Sequence, residues 1–323
     1  MNLYRVTGAG ITDLAPAEAQ GALSSDDGFV WLDVLERTDE ADALLSDVFG
    51  LGELPMEMYR NLSLVPRLNM SGTDIFLTVH SLDDEGHLLE IDLFVGANHL
   101  VTVHGTHASG IPPDVVRRET NAVLAGVRAG AIKVASPLDL AFDVLAALAT
   151  WLETYLGEVA SRSGKLDRDV RENRTGDREE FVKALYSVRH ELSTIRNRAA
   201  QTHAVCTVLA ERAGDLIEGS REMFQKLAHH FGHVRDLCDG EREFLQGTLD
   251  FYESLITAKM NVAMERLALI AVLLIPLEVV TALNEAKLVG PEHTDWASIA
   301  IYSILIAGAI VAIFRYTKKR GWW

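Results

Sequence analysis

Two apolar segments at the end of the chain decide how the rest is read. They are Met260–Leu283, MNVAMERLALIAVLLIPLEVVTAL, and Ala297–Phe314, ASIAIYSILIAGAIVAIF. The loop NEAKLVGPEHTDW joins them from Asn284 to Trp296, and RYTKKRGWW follows from Arg315. Leu267–Leu283 holds a single charged residue, Glu278, and the second segment holds none. A helix crosses the hydrocarbon core of a bilayer with about 20 apolar residues, roughly 17 at the least. Both segments meet that bound, so the sequence predicts transmembrane helices at 267–286 and 297–316. Arg315, Lys318, Lys319 and Arg320 follow the second span, whereas the loop carries Glu285, Glu292 and Asp295 against Lys287. An excess of Lys and Arg marks the cytoplasmic side. The loop at 287–296 is therefore expected outside, with both termini and the basic tail at 317–323 in the cytoplasm. Trp296, Tyr316, Trp322 and Trp323 suit the two membrane interfaces.

The bulk numbers narrow the function. A length of 323 residues allows about two domains. The chain carries 46 acids against 30 Lys and Arg, a formal charge of −16. Nucleic-acid binding needs clustered bases to meet phosphates, so that partner is excluded. An acidic surface instead concentrates cations. Cys206 and Cys238 are too few and too scattered for a disulfide framework or a thiolate metal site. The first residues, MNLYRVTGAG, lack the basic and apolar regions of a signal peptide. There is no Ser/His/Asp arrangement, Walker loop, GxGxxG or CxxC pair. An enzyme is not expected, and neither is a catalytic cofactor.

Ahead of the spans, the pattern predicts an α+β domain over 1–135. Phe29–Val34 reads as a strand and Thr38–Phe49 as a helix. Asp74–Leu82, Leu88–Val95 and Leu100–His104 read as strands joined by short turns, an antiparallel meander. A short helix is expected over Val115–Ala129. Ser136-Pro137-Leu138-Asp139 is a helix start, with an N-cap Ser, Pro at the first helical position and an early acid. A helix to about Asn173, a break at Thr175-Gly176-Asp177 and a helix from Arg178 to Arg212 make an antiparallel helical pair over 136–214. A stalk helix over 215–266 then runs into the first span. Its residues Phe224, Leu227, Phe231, Val234, Cys238, Leu245, Tyr252 and Leu255 lie on a heptad-like seam, imperfect at Glu241 and Thr248. A helix from about 221 to 286 is on the order of 100 Å long at 1.5 Å per residue. The expectation is that its seam joins several copies of the chain, since two spans per chain do not enclose an aqueous path.

Several of these residues resemble one family throughout the chain. Phe94-Val95 followed by His99-Leu100-Val101-Thr102-Val103-His104 is similar to the last sheet strands of the CorA family of divalent metal-ion transporters, which has a zinc-transporting branch. Met260-Asn261-Val262-Ala263-Met264 followed by Ile275-Pro276-Leu277 resembles the family's entry to its first span. Pro291-Glu292 and Trp296 resemble its outer loop. The resemblance implies a homopentameric funnel in a plasma or inner membrane, in which the long stalk helix lines the pore and the second span lies outside it. The family's Gly-Met-Asn after the first span is absent. Ungapped counting places Glu285-Ala286-Lys287 or Asn284-Glu285-Ala286 there. Because the zinc branch also varies at this point, the resemblance favours Zn2+ over Mg2+ as transported ion. A non-conducting metal sensor or membrane scaffold of the same fold is the alternative.

Glu278 is the sharpest single signal, because an acid near the bilayer centre costs roughly 2.5 kcal/mol or more unless it faces water or a partner. It shares a helix stripe with Met264, Ala271, Ile275, Ala282 and Glu285, and the resemblance places that stripe on the pore. In a pentamer Glu278 becomes a ring of five acids that binds and selects dications. The resemblance also makes Asn261 a pore-facing polar position, with Met264 and Leu267 beside it as an apolar gate. Asn284, Glu285, Glu292 and Asp295 form the expected outer mouth, where negative charge attracts cations. His229 and His233, four residues apart on the stalk, have a spacing that holds zinc, with Asp236 as a further ligand.

Overall fold

A computed structural model describes residues 1–25, 27–106, 110–215, 217, 219–285 and, singly, 304, 307, 308, 310, 311, 315, 318 and 319. Residues 1–249 form one compact unit and 250–323 a second.

The first unit is built on a seven-stranded sheet. Its strands are β1 (Asn2–Thr7), β2 (Gly10–Asp13), β3 (Phe29–Val34), β4 (Arg67–Ser71), β5 (Asp74–Leu82), β6 (Leu88–Val95) and β7 (His99–Thr106). Their spatial order is β2-β1-β3-β7-β6-β5-β4. The meander β5-β6-β7 is antiparallel, as the turns require. At Asp83–His87 the Asp83 carboxylate accepts the backbone N–H of Glu85 and His87, and Gly86 takes a positive φ of 83°. The parallel pair β3–β7 is a connection that local spacing does not reveal. It joins the meander to the β1–β2 hairpin, and β4 completes the far edge.

Helices cover both faces, which is why both parities of β5 and β6 are buried. On one face Val30, Leu32, Val34, Phe76, Phe94, Val101 and Val103 pack with residues of α1 (Ala19–Leu23), α2 (Asp39–Ala43), the π turn Leu44–Val48 that continues it, and α3 (Glu53–Arg60). The single helix expected over 38–49 is thus α2 plus a π turn. Thr38 caps α2, its hydroxyl accepting the Ala41 N–H. The short helix expected near 115–129 is split into α4 (Pro113–Val116) and α5 (Arg118–Arg128). The other face of the sheet carries α6 (Pro137–Arg171), which touches β3, β5, β6 and β7, and α7 (Arg178–Arg212), which touches β5.

Helix α6 begins where Ser136 caps it, with the hydroxyl accepting the Asp139 N–H at 3.1 Å. Asp177 caps α7 through the N–H groups of Glu179 and Glu180. Among the described residues α6 is the helix whose length and hydropathy would let it cross a membrane, but half of that window is buried. It is the core helix of the sheet domain.

Helix α8 runs from Ser220 to Glu285 without a break. Up to Thr248 it lies beside α6 and α7. His203 donates to the Ala228 carbonyl at 2.6 Å and Arg196 pairs with Asp239 at 2.6 Å, so α7 and α8 are antiparallel. His230 meets Glu153 at 3.2 Å and Thr248 meets Asp167 at 3.1 Å, so α6 and α8 are parallel. This placement corrects one expectation. Phe224, Leu227, Phe231, Val234, Cys238, Leu245 and Thr248 are buried within the first unit and do not await other copies. Two 35-residue helices offer a groove long enough to cover the seam, which the heptad pattern alone did not reveal.

Candidate ion path and the charges buried in the sheet

The candidate ion path lies on the second half of α8. In the second unit this helix carries Asn261, Met264, Leu267, Ala271, Ile275 and Glu278, each three or four residues from the next, so they share one side of the helix. All six side chains are exposed. Around the rest of the circumference Met260, Val262, Ile270, Val272 and Leu274 are exposed as well. An apolar run of this size open to water is unstable; such patches mark a surface meant for lipid or protein. Ala282, Asn284 and Glu285 fall in the last turn of α8. Glu292 and Asp295 of the expected mouth, and the second span apart from a few single positions, lie outside the described residues.

The histidine pair is only partly assembled. His229 and His233 are exposed one turn apart on α8. Asp236, expected as a further ligand, instead pairs with its neighbour Arg235 at 2.7 Å. His230 turns to Glu153 of α6. Among the described residues no group of three His, Cys, Asp or Glu side chains is placed to hold a metal ion. Burial pushes both thiols, Cys206 and Cys238, up to about 12, so neither forms a thiolate near neutral pH.

Sequence reading missed two clusters of charge inside the sheet domain. On the α2/α3 face, Glu90 and Asp92 are fully buried on β6. Arg37 Nη2 donates to Glu90 Oε1 at 2.9 Å and to Asp92 Oδ2 at 3.1 Å, and its Nε donates to the Tyr59 carbonyl at 2.7 Å. Arg67 approaches both acids at 3.8 to 3.9 Å, and Thr78 donates to Asp92 at 2.6 Å. His80 meets the Ser63 carbonyl at 2.7 Å. Burial raises the Asp92 pKa to about 7, reinforced by the neighbouring Glu90 charge; Thr78, Arg37 and Arg67 pull the other way without prevailing.

On the opposite face, Asp33 of β3 accepts Thr102 at 2.6 Å, meets His104 Nε2 at 2.8 Å and pairs with Arg117 at 3.0 Å. Burial works to raise the Asp33 pKa, but His104, Thr102 and Arg117 together hold it below the usual carboxylate range. His104 is thereby committed to the core and is no metal ligand. The one signal that pointed to either cluster was the presence of acids and histidines inside strand patterns. Their pairing depends on cross-strand register, His80 opposite Glu90 and Thr78 opposite Asp92.

The fold is thus an α+β domain with a doubly covered sheet, three long helices and, on the last of them, an exposed apolar stretch. The chain belongs to the family described as CorA-like Mg2+ transporter protein, which matches residues 26–319, and so to a family of divalent-cation transporters. Its structure is similar to the complete CorA magnesium transporter from Methanocaldococcus jannaschii, with a TM-score of 0.79 at 15% identity, covering 100% of this chain and 99% of that one. It is also similar to the full-length CmaX protein, with a TM-score of 0.75 at 16% identity, covering 100% and 98%. The ZntB cytoplasmic domain from Vibrio parahaemolyticus matches with a TM-score of 0.62 at 9% identity, covering 80% of this chain and 98% of that domain. At these identities the likeness is one of fold. No curated protein matches the sequence.

Proposed function

We propose that the chain moves divalent cations through a homopentameric pore, with Zn2+ favoured over Mg2+. The observation that carries this reading is the side of α8 formed by Asn261, Met264, Leu267, Ala271, Ile275 and Glu278, exposed along a helix that also exposes Met260, Val262, Ile270, Val272 and Leu274. Several copies arranged with that side inward leave the apolar remainder for lipid and neighbouring helices. In this arrangement 1–135 is the cytoplasmic α+β domain, 136–214 the helical pair and 215–266 the stalk. Residues 267–286 and 297–316 are the spans, with the mouth at 287–296 and the tail at 317–323. Both termini face the cytoplasm of an inner or plasma membrane.

Within the pore, Asn261, Met264 and Leu267 form a cytosolic constriction that closes by dewetting. Glu278 supplies a ring of acids, where oxygen charge replaces part of the hydration shell of a dication. Ala282 continues the side outward. Asn284 and Glu285, with Glu292 and Asp295 of the loop, stand in place of the missing Gly-Met-Asn and draw cations by charge alone. His229 and His233 remain a zinc-sensing pair on the stalk, which a neighbouring copy would have to complete.

The test is metal uptake into proteoliposomes with Zn2+, Mg2+, Co2+ and Ni2+ in parallel. Uptake of Zn2+ ahead of Mg2+, lowered at least tenfold by Glu278→Gln, is the expected result. Mg2+ uptake ahead of Zn2+ overturns the ion assignment. Unchanged uptake in Glu278→Gln removes the acid ring. The absence of Gly-Met-Asn favours a second reading, a metal sensor or scaffold that does not conduct. No flux of any of the four ions would establish it.

A further inference from the structure

Residues 61–66, between α3 and β4, form neither helix nor strand, so side chains of other elements hold their backbone. The Ser63 N–H donates to Glu90 of β6, and the Ser63 carbonyl accepts His80 Nε2 of β5 at 2.7 Å. One residue on, the Leu64 carbonyl accepts Arg198 Nη1 of α7 at 2.9 Å. Leu62 lies against Gly105 of β7, where an added Cβ would collide with both Leu62 and Arg37. Arg37 also holds the end of α3, through the Tyr59 carbonyl at 2.7 Å. The segment thus reaches from α3 on one face of the sheet to α7 on the other, and buried charge fixes its midpoint.

That charge is the pair Glu90 and Asp92, two residues apart on one face of β6 and wholly buried. Arg37 serves both acids through the same nitrogen, Nη2, and Arg67 of β4 stands 3.8 to 3.9 Å from each. From β5 come Thr78, which donates to Asp92, and His80, 3.8 Å from Glu90. On this face β7 presents Gly105 and the His104 carbonyl, while the His104 ring is held by Asp33 on the other. From α3 the Tyr59 ring lies 5.4 Å from Arg37, its hydroxyl kept neutral by burial and by Asp42 of α2. With a proton on Asp92, Glu90 keeps Arg37 and the Ser63 N–H. Without it, a second bare charge stands in a dry site and gains from water. Ladders and helical bonds fix the strands and α3 around it. Residues 61–66 have neither, so water enters most cheaply by lifting them.

We infer that residues 61–66 are a proton-controlled latch on the sheet domain: a proton on the buried Glu90–Asp92 pair holds the segment shut against the sheet and α7, and loss of that proton loosens it. The sign follows from the direction of the titration. Asp92 is raised to about 7 in the shut state. An opened segment lets it ionise as an ordinary carboxylate, near about 4. Between those values the shut form holds a proton that the open form has released, so opening becomes up to about tenfold easier per pH unit and levels off above about 7. Acidification closes the latch. What it controls is the tie between α3, the sheet and α7. Two residues before Arg198, Arg196 of α7 pairs with Asp239 of α8 at 2.6 Å, so the tie continues to the helix that carries Glu278. The latch itself does not depend on which ion the chain moves.

The experiment is amide hydrogen exchange read by mass spectrometry on the full chain in detergent, from about pH 5 to 7.5, with rates corrected for the intrinsic effect of pH on exchange. Protection over 61–65 should fall by at least about tenfold across that range. Exchange there should outpace that of β5 at every pH. Asp92→Asn, which cannot ionise, should keep the low-pH protection throughout. Glu90→Gln keeps an acceptor for Ser63 and removes the neighbouring charge that helps to raise Asp92, so the change should shrink to a few-fold. Equal wild-type protection at both ends of the range overturns the latch. Exchange of 61–65 in step with β5 means that the segment opens only when the domain unfolds, and overturns it as well. A full pH dependence that survives in Asp92→Asn or Glu90→Gln and vanishes in His80→Asn gives the control to the histidine and overturns its assignment to the acid pair.

Discussion

Asp92 shows how much of this protein's electrostatics lies outside the ion path. It is a fully buried acid whose pKa is raised to about 7 by burial and by Glu90 beside it. Between about pH 4 and about 7 the folded chain holds a proton there that the unfolded chain has released. Stability from this group therefore falls as pH rises through that window. Replacing Asp92 with Asn keeps an acceptor for Thr78 and removes the titration. The expected outcome is a shallower decline of Tm with pH between 4 and 7, read by calorimetry on matched buffers. An unchanged slope would show that Asp92 ionises without cost. Asp33 acts in the opposite sense, since its depressed pKa means stability lost as pH falls through the folded value. At the constriction, Leu267→Gly should raise resting conductance in planar bilayers severalfold, because a dewetted gate depends on bulk apolar side chains.

Among the elements, the helix ends were legible because capping is local chemistry. Ser136, Asp177 and the break between them lie where the sequence places them. Ser136→Ala should cost about 1 kcal/mol in urea unfolding, the usual worth of such a cap. The strands β5 and β6 were legible for the same reason, as runs between turns. The use of the α8 seam was not, because heptad spacing reports that a helix face is apolar and says nothing of what covers it. The prediction that separates the two coverings is Phe231→Ala. Phe231 is completely buried within the chain. Its truncation should destabilise the fold by about 3 to 5 kcal/mol while leaving the assembled mass in detergent unchanged. A loss of assembly without a loss of stability would return the seam to the interface.

For the whole molecule, the sheet, its two helical layers and the buried seam up to Thr248 fall within residues 1–249. That unit has its own core and caps. Expressed alone, residues 1–249 should fold to a helical and sheet-containing protein with a cooperative thermal transition. A broad, non-cooperative melt would show that the remainder of α8 is needed to complete it. The candidate ion path belongs to the other unit, and its side chains face outward in a single chain. The proposed pore therefore requires several copies of the chain.

The sequence by itself determined strands β3, β5, β6 and β7, the starts of α6 and α7, the charge of the molecule, the apolar end segments and the row that carries Glu278. Each of these is read from periodicity, turns or composition, which are local in the chain. Only the tertiary structure decided that β3 joins β7 in parallel, that Glu90 and Asp92 share Arg37, and that α6 and α7 cover the seam of α8. Those contacts join residues far apart in sequence. Their free energy comes from desolvation and complementary packing at the meeting point, and no single segment carries a record of it.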